Sequence, residues 1–288
     1  MNDQDLVFFV SDLHGKLSRY DSLFSEIINS RPAVLLMGGD LLPHAHARGP
    51  GRLSAEEFAE EYLPKKFGQL KEKMGNDYPL VLLILGNDDP RFFEPLFIES
   101  EKKGLWKYLH MNWVDYKEFR FYGYSMIPPT PFQLKDWERF DVSRYTDPGC
   151  IPPNEGSRTV NPEVDIEHTS IQKELAALTD GHYLNKSIFL FHSPPYKGNL
   201  DRAALDGKMF ENVPLDVHVG SIAIQRFIEE KQPLITLHGH IHESTRLTGY
   251  WSEQSGKTFS FNAATDSPEL SIVKFYLQDS GTAKRVLL

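Results

Sequence analysis

Five short clusters in the sequence carry side chains that can bind metal ions. In the first, Asp12-Leu13-His14, a carboxylate and an imidazole lie on the same side of an extended segment, because alternate residues of a strand share a face. The last, His238-Gly239-His240-Ile241-His242, repeats that spacing with imidazoles. Between them lie the clusters Gly39-Asp40, Gly86-Asn87-Asp88 and His192. Carboxylates, an amide oxygen and imidazoles are ligands for transition-metal ions, so the clusters together predict a metal site.

Each cluster alone also has an ordinary structural interpretation. An aspartate such as Asp12 often caps a helix, and Gly39-Asp40 and Gly86-Asn87 have the composition of turns. A single histidine such as His192 is more often structural than ligating. The histidines of residues 238–242 fit an exposed turn as well as a metal site. The joint presence and order of the clusters therefore matter more than any one of them.

Each cluster directly follows a short apolar run. The runs are Leu6–Val10, Ala33–Met37, Leu80–Leu85, Ser187–Phe191 and Leu234–Leu237. Continuous apolar runs of this length are typical of strands that are buried on both faces of a sheet. The clusters therefore lie at the carboxyl ends of predicted strands, where α/β sheets bind their ligands.

Helical patterns separate the predicted strands, which indicates an α/β layered fold. Ser54 and Glu57 have the spacing of a capping box, and Asp89-Pro90 predicts a helix start with a cap residue before proline. The predicted helices are Lys16–Ser30, residues 54–74, a helix from Asp89-Pro90, residues 165–179 and residues 220–231. The clearest predicted strands near the carboxyl end are Thr258–Asn262 and Leu270–Leu277.

Length, charge and cysteine count limit the kinds of protein that this chain can be. The chain has 288 residues, 40% of them hydrophobic, and no linker, charge block or repeat, which predicts a single domain over residues 1–288. Its net charge of −9 makes a nucleic-acid polymer an unfavourable partner. Cys150 is the single cysteine, so neither an internal disulfide nor a thiolate metal cluster can form. No run has the length of a signal peptide or membrane helix, and we expect a cytoplasmic protein without membrane association.

The order Asp-x-His, Gly-Asp, Gly-Asn, His and Gly-His-x-His, each after a predicted strand, resembles the calcineurin-like metallophosphoesterases. The segment from Val217 to Glu243 is similar in particular to the small phosphodiesterase branch of that family. The resemblance covers about four fifths of the chain, from residue 12 to residue 242. It implies a four-layer α-β-β-α sandwich and a centre with two divalent or trivalent metal ions.

The resemblance also implies a role for each residue of the clusters. Asp12, His14 and His242 would hold one ion. Asn87, His192 and His240 would hold the other, and Asp40 would bridge both. Mixed imidazole and carboxylate ligands suit Mn, Fe or Zn better than Ca. Two such ions can activate a bridging hydroxide and clamp a phosphoryl group, with Asp40, Asn87 and His192 as catalytic residues. His238 is not predicted to be a ligand.

Asp88 departs from the family pattern. Many members have a histidine after the Gly-Asn pair, which is thought to protonate the leaving oxygen. A carboxylate beside two cations is a poor proton donor at neutral pH, so either another group protonates the leaving oxygen or the leaving group needs little protonation. A role for Asp88 at the start of a helix is an equal alternative.

Several further residues follow the ligand motifs and are candidates for substrate binding. His44 and His46 lie after Asp40, Arg91 follows Asn87, and Lys197 follows His192. Residues 126–164 form a proline-rich segment with aromatic residues and no regular periodicity. Long loops of this kind often act as lids or binding loops, and we predict that this segment shapes the substrate pocket. A packed surface loop is the alternative.

The sequence therefore favours hydrolysis of a small phosphate ester, with a phosphodiester preferred over a phosphomonoester. A protein Ser/Thr phosphatase is less favoured, because Asp40 continues into Leu41-Leu42-Pro43-His44 and lacks the Asp-Arg-Gly that binds phosphate in that branch. The alternative from another class is a non-catalytic metal-binding or protein-binding scaffold of the same fold. The sequence does not predict the oligomeric state.

Overall fold

The computed structural model describes residues 5–44 and 53–288. Two six-stranded sheets and one short hairpin contain its strands. The strands are β1 (Leu6–Val10), β2 (Val34–Gly38), β3 (Leu80–Ile84), β4 (Lys107–Tyr108), β5 (Asn112–Tyr116), β6 (Phe119–Tyr124), β7 (Ser187–Phe191), β8 (Met209–Phe210), β9 (Val213–Pro214), β10 (Ile235–His238), β11 (Ser252–Ser255), β12 (Thr258–Asn262), β13 (Ser271–Tyr276) and β14 (Asp279–Leu287).

The helices lie between and after these strands. They are α1 (Leu17–Ser30), α2 (Ala55–Glu57), α3 (Leu63–Met74), α4 (Glu94–Lys102), α5 (Ile171–Leu178), α6 (Ile222–Lys231) and α7 (Ser244–Thr248). A π-helical turn, Phe58–Tyr62, joins α2 to α3, and short 3-10 turns cover Gly75–Asp77 and Arg91–Phe93. Within the described residues, no helix is both long enough and apolar enough to cross a membrane.

The two sheets are mixed, with parallel strands at their centres. The first has the order β14-β13-β1-β2-β3-β4, in which β1 to β4 are parallel and β13 and β14 are antiparallel additions. The second has the order β11-β12-β10-β7-β6-β5, in which β12, β10, β7 and β6 are parallel. Parallel strands end at the same edge, so the segments after β1, β2, β3, β7 and β10 meet at one end of the molecule.

Successive residues of a strand belong alternately to two apolar layers of the core. In β1, Val7 and Phe9 belong to the apolar layer between the two sheets, where Ile188 and Leu190 of β7 lie. Phe8 and Val10 point the other way and pack with the apolar face of α1. On the outside of the second sheet, the Phe189 ring packs edge-on against Phe227 of α6. Helices therefore cover both outer faces, and the predicted α-β-β-α sandwich is confirmed.

Two predicted helix starts are wrong. The helix predicted over residues 165–179 begins only at Ile171, because Ser170 caps it by accepting from Lys173 N. The chain after Asp89-Pro90 forms the 3-10 turn Arg91–Phe93, and α4 begins only at Glu94. The Asp89 carboxylate caps no helix, because it is buried and accepts from the backbone N–H groups of Leu41, in the loop after β2, and of Gly86, in its own loop. The capping box of Ser54 and Glu57 is confirmed by reciprocal hydrogen bonds of 3.1 and 2.8 Å.

Candidate metal centre

The structure brings the seven predicted ligands together at the carboxyl ends of the strands. Asp12 and His14 follow β1, Asp40 follows β2 and Asn87 follows β3, all in the first sheet. His192 follows β7, and His240 and His242 follow β10, in the second sheet. The loops are joined by backbone hydrogen bonds, such as Asp12 N to Gly39 O at 3.0 Å and Gly239 N to His192 O at 2.9 Å.

Asp12, His14, Asp40 and His242 form the first group. One ligand atom from each lies within 4.8 Å of the others. Nε2 of His242 is 3.1 Å from Nε2 of His14 and 3.1 Å from Oδ1 of Asp12. Two imidazole nitrogens and carboxylate oxygens at these distances match the ligand chemistry of a transition-metal ion.

Asn87, His192 and His240 form the second group. Nε2 of His192 lies 3.0 Å from Oδ1 of Asn87, and the rings of His192 and His240 are 5.2 Å apart. Nδ1 of His192 is 2.8 Å from the carbonyl oxygen of Gly38, which leaves Nε2 to face the site. A carbonyl partner on the second ring nitrogen is typical of a histidine that binds metal.

Asp40 lies between the two groups. Its Oδ2 is 3.4 Å from Nε2 of His192 and 3.9 Å from Nε2 of His14. Its Oδ1 accepts a hydrogen bond of 2.8 Å from the backbone N–H of Asp88. One carboxylate oxygen therefore faces ligands of both groups, which is the position that a shared ligand requires.

Backbone strain is concentrated at the site. Four of the seven residues have left-handed backbone conformations, with φ of 57° at Asp12, 47° at His14, 52° at Asp40 and 69° at His240. Such conformations cost about 1–2 kcal/mol for residues other than glycine. They persist where the surrounding structure enforces them, and they are concentrated at functional sites.

Two glycines allow the loops to approach this closely. A Cβ atom on Gly86 would overlap Oδ1 of Asp40, and one on Gly39 would lie 2.8 Å from Nδ1 of His192. Gly39 also has a φ of +94°. A side chain at either position would therefore push the two sheets apart at the ligands.

The ligands differ in charge before a metal binds. Burial opposes ionisation of Asp12, but the hydrogen bond to His242 and the charges of His242 and His192 together outweigh it and lower the pKa of Asp12 to about 2. Burial and the neighbouring His192 lower the pKa of His240 to about 4, and burial also lowers that of His14. At neutral pH, Asp12 is therefore ionised and His240 is neutral, as metal ligands must be.

Asp89 supports the ligand loops in a way that the sequence pattern did not reveal. Its Oδ2 accepts from the backbone N–H groups of Leu41 and Gly86, both at 3.0 Å, and Oδ1 accepts from Leu42 N at 2.8 Å. The carboxylate thus ties the loop that carries Asp40 to the loop that carries Asn87. Burial and the charge of Asp40 raise the pKa of Asp89 to about 7, and the three amide donors oppose that shift.

Arg19 is a second such residue. It is buried in α1, and its guanidinium donates to the backbone oxygen of Asp12 at 2.5 Å. The other guanidinium nitrogens donate to the carbonyls of Thr265, Ser267 and Pro268. The side chain therefore fixes the backbone of Asp12 against residues 265–268. A position three residues into a helix gives no sequence signal for this role.

Asp88 and His44 form a pair at the edge of the centre. Nδ1 of His44 lies 3.1 Å from Oδ2 of Asp88, and the His44 ring stacks on that of His14 with centroids 4.4 Å apart. The hydrogen bond to Asp88 outweighs partial burial and raises the pKa of His44. His46, the other histidine predicted to line this region, lies outside the described residues.

Arg91 and Lys197 are placed differently from His44. The guanidinium of Arg91 pairs with Glu94 at 2.8 Å and lies 5.1 Å from the centre of the Trp137 ring. The Lys197 side chain is exposed, and no ion pair reaches it in residues 5–44 or 53–288. Contacts of these two residues with phosphate stay predictions. The Arg91 side chain is also engaged in the ion pair with Glu94.

The segment of residues 126–164 packs beside the ligand loops. Trp137 is fully buried, and its Nε1 donates to the backbone oxygen of Asp89 at 2.6 Å. Asp136 accepts from the Arg91 backbone, and Asp141 accepts from Ser221 and Ile222 at the start of α6. The segment is thus attached to the loop that carries Asn87 and to the start of α6.

His238 lies outside the centre. It is fully buried, and its ring nitrogens lie 2.9 Å from Ser193 O and 2.8 Å from Thr236 Oγ1. Burial lowers its pKa to about 4. Because both nitrogens are engaged, this histidine supports the strand end and is not available to a metal ion.

Comparison with known proteins agrees with this geometry. The family of calcineurin-like phosphoesterases matches residues 6–244 of the chain. No curated protein matches the chain. One solved structure has 17% identity, covers 99% of both chains and gives a TM-score of 0.60. The protein TT1561 of Thermus thermophilus has 12% identity, coverage of 99% of both chains and a TM-score of 0.56. At these identities the likeness shows the fold alone.

The match covers all five ligand clusters and most of the two sheets. Members of the matching family are phosphoester hydrolases that typically bind divalent metal ions, and the Asp and His cluster described above can hold such an ion. The chain therefore belongs to the calcineurin-like phosphoesterase family.

Proposed function

We propose that this protein hydrolyses a small phosphate ester, with a phosphodiester preferred over a phosphomonoester, by means of two metal ions. The position of Asp40 carries the proposal. Its Oδ2 lies within 4 Å of imidazole nitrogens from both ligand groups, as a shared ligand needs to. A shared carboxylate lowers the repulsion between two closely spaced dications.

In this proposal Asp12, His14 and His242 hold one ion. Asn87, His192 and His240 hold the other, and Asp40 holds both. The unprotonated nitrogens of His14 and His240 and the oxygens of Asp12, Asp40 and Asn87 form a mixed nitrogen and oxygen donor set. Such a set suits Mn, Fe or Zn. The 3.1 Å separation of Nε2 of His14 and Nε2 of His242 also fits a cation between them.

When bound, the ions would supply an activated water and neutralise the oxygens of the phosphoryl group. The protein's own residues would position these parts. Asp40 and Asn87 orient the reacting region from the first sheet, and His192 does so from the second. His44 and Lys197 are candidates to contact the ester, His44 because it stacks directly on His14.

Residues 126–164 would form one wall of the substrate site. The support is their attachment beside Asn87 through Trp137 and Asp136. Phe132 and Tyr145 of this segment are exposed, at 55% and 67%, and can contact an organic group of the ester. A small ester rather than a nucleic-acid polymer fits the net charge of −9.

A non-catalytic scaffold is the second candidate, and Asp88 is the observation that favours it. The residue in that position is a carboxylate, where many relatives have a proton donor. The seven ligands are all present, which supports the enzyme. Metal-dependent turnover separates the two candidates.

The test is hydrolysis of bis-p-nitrophenyl phosphate and p-nitrophenyl phosphate by metal-free protein resupplied with Mn²⁺. Wild type is compared with Asp40→Ala and His192→Ala, and with Asp165→Ala, which removes an exposed aspartate paired to His168. We expect turnover that needs metal, falls at least about 100-fold in the first two variants and is unchanged in the third. Folded wild-type protein that gives no turnover with Mn²⁺, Fe²⁺ or Zn²⁺ would favour the scaffold.

A further inference from the structure

Asp88 contacts three of the proposed ligands. Its Oδ1 accepts a hydrogen bond of 3.0 Å from Nδ2 of Asn87, and its backbone N–H donates to Oδ1 of Asp40 at 2.8 Å. Its Oδ2 lies 3.8 Å from Nδ1 of His14 and 3.1 Å from Nδ1 of His44. Asp88 therefore lies beside ligands of both proposed groups.

The contact with Asn87 fixes the direction of the amide. Nδ2 donates to Asp88, so Oδ1 is turned toward Nε2 of His192, at 3.0 Å. An amide that lost this acceptor could rotate and present its nitrogen, which cannot bind a cation. Asp88 thereby decides which atom Asn87 presents to the second ion.

Asp88 also faces a buried nitrogen atom of His14. Within residues 5–44 and 53–288, Nδ1 of His14 is buried and has no hydrogen bond. Its Nε2 faces Asp40 and His242, so Nδ1 carries the ring hydrogen when Nε2 binds a metal. A histidine in that state almost always donates to a carboxylate, carbonyl or water. Oδ2 of Asp88 is a carboxylate oxygen that faces this nitrogen at 3.8 Å. That distance exceeds the limit of about 3.2 Å for a hydrogen bond, so donation from His14 requires the two groups to move closer.

We propose that Asp88 is a positioning residue that holds Asn87 and His14 in their metal-binding orientations, and that it does not donate a proton to the leaving group. The inference rests on the proposed metal centre. It assigns a use to the carboxylate at the position where this chain departs from the family pattern. Asp88 then acts on metal affinity, through both ligand groups at once.

The experiment measures Mn²⁺ binding to metal-free protein by isothermal titration calorimetry. Asp88→Asn keeps the size of the side chain but removes its charge, so it cannot accept at both ends. Asp88→Ala removes the carboxylate altogether. Asp165→Asn is the matched control, because Asp165 also lies 2.8 Å from a histidine nitrogen but on the exposed surface. Thermal unfolding of each metal-free protein establishes that the variants are folded.

We expect the Mn²⁺ dissociation constant to rise about 10- to 100-fold in both Asp88 variants and to stay unchanged in Asp165→Asn. Excess Mn²⁺ should restore kcat of Asp88→Asn to within about tenfold of wild type, because a positioning defect is overcome by occupancy. A lower kcat that excess Mn²⁺ does not restore, at unchanged affinity, would overturn the inference in favour of proton donation.

The number of Mn²⁺ ions bound per chain gives a further control. The ring nitrogens of His14 and His44 and an oxygen of Asp88 lie within 4.8 Å of one another. A third Mn²⁺ equivalent that disappears in Asp88→Asn would make Asp88 a ligand and overturn the positioning role. Wild-type protein that binds none of Mn²⁺, Fe²⁺ and Zn²⁺ would refute the proposed function itself. Wild type with two ions and turnover, beside an Asp88→Asn of equal affinity, would refute only this inference.

Discussion

Oδ2 of Asp40 lies 3.4 Å from Nε2 of His192, with both side chains buried at the centre of the ligand cluster. Burial alone would lower the pKa of His192, but the Asp40 carboxylate, the charge of Asp12 and the hydrogen bond to Gly38 together outweigh it and raise that pKa to about 10. The same contact holds the pKa of Asp40 well below its usual range, against the effect of burial. In the metal-free protein, His192 therefore keeps its proton at neutral pH.

Metal affinity should consequently increase with pH. A metal ion can bind Nε2 of His192 only after its proton leaves, so each displaced proton raises the affinity about tenfold per pH unit below the pKa of His192. Calorimetric titration with Mn²⁺ at pH 6, 7 and 8 measures this slope, and buffers of different ionisation heat count the protons released. Affinity that is independent of pH over this range would contradict the prediction.

Gly86→Ala should abolish the centre. The added Cβ would overlap Oδ1 of Asp40 and lie 2.7 Å from Cε1 of His192. We expect Mn²⁺ affinity and turnover to fall at least about 100-fold. Gly68→Ala is the control, because Gly68 lies in α3 with nothing within 4 Å of its Cβ position. That change should leave binding unaffected and raise the free energy of unfolding by up to about 1 kcal/mol.

Asp89→Asn should weaken both stability and metal binding. Both carboxylate oxygens of Asp89 accept from backbone N–H groups, so the amide nitrogen of asparagine must face a donor. An unsatisfied buried donor costs about 1–3 kcal/mol, which urea unfolding of the metal-free protein will measure. Stability equal to wild type would show that the three hydrogen bonds do not hold the two loops together.

Phe132→Ala and Tyr145→Ala should change substrate preference without changing metal content. These side chains are exposed on residues 126–164, whereas deletion of the whole segment would also remove the buried Trp137. We expect the ratio of turnover on bis-p-nitrophenyl phosphate to that on p-nitrophenyl phosphate to change about tenfold. Mn²⁺ stoichiometry serves as the control measurement. Equal ratios in wild type and both variants would remove this segment from the substrate site.

The strands that carry the ligands were predictable, because each is a continuous apolar run. Leu6–Val10 and Ser187–Phe191 match β1 and β7 at both ends, and the other three runs match β2, β3 and β10 to within one residue. Strand β6, Phe119–Tyr124, was not predicted. It is a central parallel strand whose sequence carries an arginine and a glycine among its aromatic residues.

The supporting residues were not predictable from local sequence. Asp89 precedes proline, which is the pattern of a helix cap, but two of its three hydrogen-bond donors, Leu41 and Leu42, lie 48 and 47 positions away. Arg19 resembles an exposed charge on α1 until residues 265–268 are placed beside it. Ligands can be recognised by residue type and spacing, whereas these residues are defined by distant backbone groups.

The completed fold depends on contacts between distant parts of the chain. Strand β1 pairs with β13, and Asp12 contacts His242, 230 positions later. A nascent chain that ends before β7 contains Asp12, His14, Asp40 and Asn87 but none of the three later histidines. Contacts over such separations form slowly, because long loops must close first. An ion that binds only the complete centre stabilises the native state by mass action. It does not stabilise a nascent chain that lacks the later histidines. In the proposed two-metal centre, metal binding would therefore come late in maturation, after both sheets have assembled.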